Sequence, residues 1–260
     1  MRRSKRVTRF PHLQAYSGQA TVEFLYVLPI LLLLLLASLQ FVFIYEAKQT
    51  LNYATFIGTR EGALHNGSIV AIQSGLASGL APLFVHGENQ QALKDGRAVA
   101  KSELGNFKLA KIVIVNPTQS ALNGLKNASG EIPNDNLMYR TADAASQKDG
   151  MNVQDANLLK VQVTYCVRLI VPIINRMIYG FAVAPPAAGQ QAKLDGSYTG
   201  GSISADELLK TAAPGTPTTT TPTCTDTSST NAYPYRVPVT SEAVVRMQSP
   251  FKNPGTWTAP

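Results

Sequence analysis

The chain has 260 residues, enough for one or two domains with a core of their own. Only 15% of the residues are charged, below the usual quarter of a soluble domain, and one long apolar run accounts for part of that deficit although 45% hydrophobic content is ordinary. The net charge of +7 is lopsided: Arg2, Arg3, Lys5, Arg6 and Arg9 sit in the first 18 residues with no acid, while the remainder is nearly balanced, so a basic folded face for nucleic acid is excluded.

The basic stretch ends at Ser17-Gly18. Gln19-Ala20-Thr21-Val22 carry no charge, and Glu23 stands fifth counting from Gln19. Phe24 to Tyr45 then contains no charged residue, and Glu46 bounds it. A helix of that length spans about 33 Å, against a hydrocarbon core of about 30 Å. Leu31–Leu36 has no polar face, which argues against a surface amphipathic helix. The run is about twice the length of a secretory h-region, and Leu35-Leu36-Ala37 is a weak cleavage match, so a removed signal peptide is disfavoured. The five basic residues precede the run, whereas Lys48 and Arg60 beyond it have Glu46 and Glu61 beside them. The positive-inside rule places the N-terminus in the cytoplasm and residues 46–260 outside. Pro29 removes one helical hydrogen bond, and is either a tolerated kink or a bend that helps a subunit leave the bilayer. Leu169–Ile174 is too short for a second span and is flanked by Arg168 and Arg176.

The ordered pattern of basic leader, Gly18, uncharged residues, Glu23, aromatic and apolar span resembles the processing site of type IV prepilins. The segment Gly-Gln-Ala-Thr-Val-Glu-Phe, followed by Leu-Tyr-Val-Leu-Pro-Ile and a poly-leucine run, is more specifically similar to the TadE family, minor pseudopilins of tight-adherence (Flp-type) pili. The resemblance covers roughly Ser17–Gly62. It implies that a prepilin peptidase cuts between Gly18 and Gln19, removing residues 1–18. It also implies a helix over 19–64 and an extracytoplasmic domain over 65–260. Glu23, a carboxylate held at the edge of hydrocarbon, would neutralise the new amine of its own or a neighbouring chain. The implied partners are a TadF-like pseudopilin, the Flp major pilin, the inner-membrane Tad platform and the lipid bilayer. Adherence and biofilm formation are the implied setting. Gln19 departs from the Phe common in major type IV pilins.

Past the span, Ala47, Leu51, Ala54 and Ile57 form a stripe at helical spacing, so the helix continues outward. Ala47, Ala54, Gly58 and Gly62 permit close packing, within the core or between subunits. Ser68–Val85 is a short helix ended by Pro82. Asn89–Leu104 is helical, with Ala92, Leu93, Val99 and Leu104 as its apolar positions. Phe107–Val115 is a strand, and Pro117–Gly150 is loop. In Asn157–Val167, Leu159, Val161, Val163 and Tyr165 share one parity, which makes it the clearest strand. Pro172 and a short apolar helix follow, and Tyr235–Met247 is a last strand. The stretches 185–201 and 214–223 are low in complexity and read as exposed loops. The expected fold is α+β: a long N-terminal helix, half transmembrane and half extracytoplasmic, then a small pilin-like domain with a mainly antiparallel sheet and long loops.

Cys166 and Cys224 belong to no CxxC pair, and are candidates for one disulfide, with two separate thiols as the alternative. The histidines His12, His65 and His86 fall in no metal-ligand or catalytic motif. Asp135, Asp143 and Asp149 lack EF-hand spacing. Neither a cofactor nor a metal nor enzymatic activity is expected. Two other readings stay open: an uncleaved, signal-anchored envelope module, and an anchored enzyme domain, for which the sequence shows no polar cleft.

Overall fold

The computed structural model describes residues 17–106, 108–141, 150–182, 222, 224 and 235–259. Helix α1 runs Ser17–Leu64 without interruption, through Pro29 and past the apolar span. Its outer half carries the expected stripe: Ala47, Leu51 and Ala54 are buried, and Ile57 is half-buried. Helix α2 (Ile69–Leu80) folds back against it. The two backbones come close because the facing residues are small. A Cβ on Gly79 would lie 2.5 Å from Ala54 Cα, and one on Gly75 would lie 2.8 Å from Gly58 Cα. The small residues of α1 thus serve packing within the chain, one of the two uses their spacing allowed.

The reversal between α1 and α2 needs left-handed backbone at Asn66 and Gly67. At Gly67 only a glycine fits, since a Cβ would sit 2.2 Å from the Phe251 ring. The C-terminal segment closes over this corner. Gln248 and Ser249 donate their amides to the Ala63 carbonyl, and Asn66 donates its side-chain amide to the Pro250 carbonyl at 2.7 Å.

After α2, Ala81–Leu83 forms a 3-10 turn with Pro82 inside it. Helix α3 (Gln90–Leu104) starts at Asn89, whose side chain accepts from the Ala92 amide. Its buried face is Gly96, Ala100, Glu103 and Leu104, whereas Leu93 and Val99 are exposed. Of the apolar positions expected from sequence, Leu104 is buried and Ala92 half-buried, whereas Leu93 and Val99 lie outside the packed face, which is otherwise built from small residues and one carboxylate.

Strand β1 (Ala110–Asn116) is followed by helix α4 (Gln119–Leu125), capped by Thr118. A 3-10 turn follows at Leu137–Tyr139. The expected loop over Pro117–Gly150 is thus broken by helical turns, anchored by buried Ala121, Leu122 and Leu137. Asp143 and Asp149 lie outside the described residues, and Asp135 pairs with Arg140 at 2.9 Å. The single turn α5 (Val153–Ala156) leads into strand β2 (Leu158–Arg168). Among the described residues, helix α6 (Ile174–Ala182), strand β3 (Arg236–Arg246) and the short strand β4 (Thr258–Ala259) follow.

The sheet has the order β3-β2-β1-β4 and every pairing is antiparallel. Leu159, Val161, Val163 and Tyr165 point into the core, as their shared parity requires. They meet the outer half of α1, while β3 also contacts that helix and Lys48 donates to the Thr240 carbonyl. The architecture is α+β, with a long N-terminal helix that forms one wall of a small antiparallel-sheet domain. The low-complexity stretches 185–201 and 214–221 lie outside the described residues, but Pro222 is buried.

Candidate functional site

The predicted processing residues open helix α1. Gly18 and Gln19 lie in its first turn, and the helix starts at Ser17 rather than beyond the junction. Glu23 follows little more than one turn later with its side chain exposed. From Thr21 to Leu35 every residue is exposed, including Phe24, Leu25, Tyr26, Ile30 and Leu34. A helix that served as the core of a soluble domain would bury such residues. Among the described residues α1 alone is long and apolar enough to cross a membrane. Among the described residues, Gln40 is the first completely buried one of the helix; Phe41, Val42, Phe43 and Tyr45 beyond it are exposed, and continuous burial of one stripe begins at Ala47. One continuous rod thus joins an uncovered apolar half to a half that is built into a domain.

Residues 18–60 match the family model of TadE-like proteins. The match begins at Gly18, covers the apolar span and ends inside α1, before α2 and the sheet. The match is to a stretch of 43 residues in a chain of 260. No curated protein and no solved structure matches the chain.

Beyond the TadE-like helix, the structure assembles a charged cluster that the sequence reading missed. Glu103 on α3 is buried against three partners. Arg236, itself buried on β3, holds both carboxylate oxygens at 3.1 Å through its two terminal nitrogens and donates to the Cys166 carbonyl at 3.2 Å. Arg168 and the Tyr165 hydroxyl, both on β2, donate to the same carboxylate. Burial pushes the Glu103 carboxyl up, but hydrogen bonds and charge from Arg236, with the bonds from Tyr165 and Arg168, more than offset it and hold it below its ordinary value. Burial and the adjacent carboxylate push the Tyr165 hydroxyl far up, so it stays a donor. Arg168 also lies over the Phe84 ring, 5.3 Å from its centre. This is a clamp joining α3 to both long strands, and two of its members, Tyr165 and Arg168, also line a cavity of about 390 Å³ with Glu46, Phe84 and His86. Arg168 and Arg236 face each other across β2 and β3, a pairing that appears only in the fold, and two facing arginines call for an acid.

Cys166 and Cys224 are joined as a disulfide, with their Cα atoms 5.4 Å apart. The bond ties residue 224 to the same end of β2 as the clamp, and the Cys224 amide donates to the Lys108 carbonyl. Of the histidines, His65 contacts Glu61 at the end of α1, His86 lines a cavity beside it, and His12 lies outside the described residues.

Proposed function

We propose that the chain is a minor pseudopilin that supports assembly of Tad-type pili. One observation carries this reading: the TadE-like match begins at Gly18, the residue after which the sequence pattern places cleavage, and Glu23 stands fifth from the new terminus on an exposed helix. A prepilin peptidase removes residues 1–18, which leaves Gln19 first. The α-amine then lies within reach of Glu23 carboxylates on neighbouring helices, at the edge of a low-dielectric medium where pairing selects register as well as partner. The processed helix holds the protein in the inner membrane, with its N-terminus on the cytoplasmic side and the sheet domain outside. There it engages a TadF-like pseudopilin, the Flp major pilin and the membrane platform. The role is structural, with no cofactor.

Replacing Glu23 with Gln tests the assembly role. The variant is expected to insert into the membrane like the parent while piliation falls sharply. Normal piliation in a Glu23→Ala strain would overturn the proposed role.

A second reading is favoured by the helical state of Gly18. A peptidase needs extended backbone, so cleavage requires the first turn of α1 to unwind. An uncleaved anchor that holds an envelope module needs no such step. It predicts indifference to substitution at Gly18.

A further inference from the structure

Helix α6 buries Ile174 against the domain, yet it and the residue before it leave large apolar side chains outward. Ile173, Met177 and Phe181 recur every fourth residue and are exposed, Phe181 by 87% and Ile173 by 64%. Ile170, on the segment leading into α6, is exposed beside them. A helix on the surface of a water-soluble domain keeps its outer face polar, whereas this one is apolar on the outer face as well as at buried Ile174.

Its place along α1 explains the inversion. The segment entering α6 covers Gln40: the Val171 amide donates to Gln40 Oε1 at 2.8 Å, and α6 itself touches α1. From Phe24 to Gln40 the helix climbs about 24 Å. The hydrocarbon layer is about 30 Å thick. If Phe24 marks one edge, Gln40 and the segment covering it lie at the other edge, not beyond it. Irregular backbone is tolerated at that depth only when its polar groups are paired internally. Much of this segment is paired: the amides of Leu169, Val171, Ile174 and Asn175 donate to Tyr235, Gln40, Pro172 and Val171, and Pro172 has no amide, while Gln40 Nε2 is buried without a partner. Gln40, a polar residue inside the apolar run, therefore acts as the acceptor that lets a turn approach lipid. Tyr179 and Tyr235 meet with their rings tilted and their centres 5.3 Å apart, a residue type favoured at the headgroup level. Arg176 is exposed beside Met177, and its long stem allows the guanidinium to reach lipid phosphates.

We propose that α6 is an in-plane anchor whose Ile173, Met177 and Phe181 face lies in the headgroup region of the bilayer that α1 crosses, with Arg176 on lipid phosphate. The inference rests on reading α1 as membrane-spanning. Such a helix buries its apolar face about 5–10 Å into the headgroup–acyl boundary. It fixes the sheet domain against the membrane surface and limits its rotation about α1. For a subunit drawn out of the bilayer, α6 then has to leave lipid together with the span.

The test uses the full chain in phosphatidylethanolamine–phosphatidylglycerol vesicles. With Cys166 and Cys224 bonded, a single cysteine accepts a nitroxide label at Met177 (M177C), at Leu35 in the span (L35C), or at Lys101 on the exposed side of α3 (K101C). Collisions with oxygen and with a water-soluble nickel complex report depth. The expected result is deep lipid for L35C, water for K101C, and an oxygen-to-nickel accessibility ratio for M177C several-fold above that of K101C. I173C and F181C should follow M177C, and an Asn175 label (N175C) should not. L35C in lipid with M177C in water would overturn the inference while leaving α1 as a span. L35C in water would overturn the reading of α1 itself. Spin–spin broadening at M177C with low access to both reagents would show a second copy on this face, and would overturn the lipid assignment.

Discussion

The two halves of α1 obey different rules. Between Thr21 and Leu35 the helix is exposed on every side, and its neighbours are specified only by being apolar. Between Ala47 and Leu64 one stripe is buried, and the partners across it are specified by shape down to a single methyl group. The first half is set by composition and the second by fit. Substitutions should therefore be read by different instruments in the two halves, insertion in one and stability in the other.

The largest effect is expected away from the span, at the clamp that closes the domain. Glu103→Ala leaves Arg236 buried without its carboxylate and should cost about 3–5 kcal/mol of domain stability. A denaturant midpoint for the detergent-solubilised protein would show this, and an unchanged midpoint would remove the clamp from the account. The same group gives a pH dependence. Its folded pKa is lowered from the ordinary 4.5, so the stabilisation is fully present above that value. It is lost as pH falls from about 4.5 through the lower folded value, as the carboxyl takes up a proton. Unfolding curves across that window should show the loss in the parent and a weaker one in Glu103→Gln.

The span should answer to charge alone. Leu33→Arg at its middle should raise the insertion free energy by about 2.5–3.5 kcal/mol, measured as the inserted fraction in a translocon assay. Leu33→Ile should change nothing measurable in the same assay. The contact of α1 with α2 should answer to volume. Gly79→Ala forces its Cβ against the Ala54 backbone and should cost about 1–3 kcal/mol, despite the better helix propensity of alanine. The smallest effect is expected on the outer face of the sheet, where Lys160 and Glu242 pair at 2.8 Å in partial exposure. Breaking that pair should cost about 1 kcal/mol or less. A larger loss there would blur the contrast between the halves.

What was legible in the sequence follows the same division. The long apolar helix, the outer stripe of α1 and the parity of β2 are periodic or local signals, and each appears where its residues sit. The buried face of α3 was misplaced because Gly96, Ala100 and Glu103 do not score as apolar. The sequence of α4 carries no helical signal because its seven residues are mostly polar or small, and its order comes from the Thr118 cap and from burying Ala121 and Leu122. The Glu103–Arg236 pair joins residues 133 apart, a distance that no local pattern bridges. Gln40 went unnoticed because one uncharged amide barely lowers the hydropathy of its run, and its meaning depends on the Val171 amide that it accepts.

The central claim is that the chain matures by loss of residues 1–18 and then acts as a pseudopilin. The mass of the N-terminal peptide, taken from membranes of the native host with and without its prepilin peptidase, tests it most directly. The account predicts a chain beginning at Gln19 only when the peptidase is present. A chain beginning near Met1 in both cases would contradict it, and would make α1 the anchor of an unprocessed envelope protein.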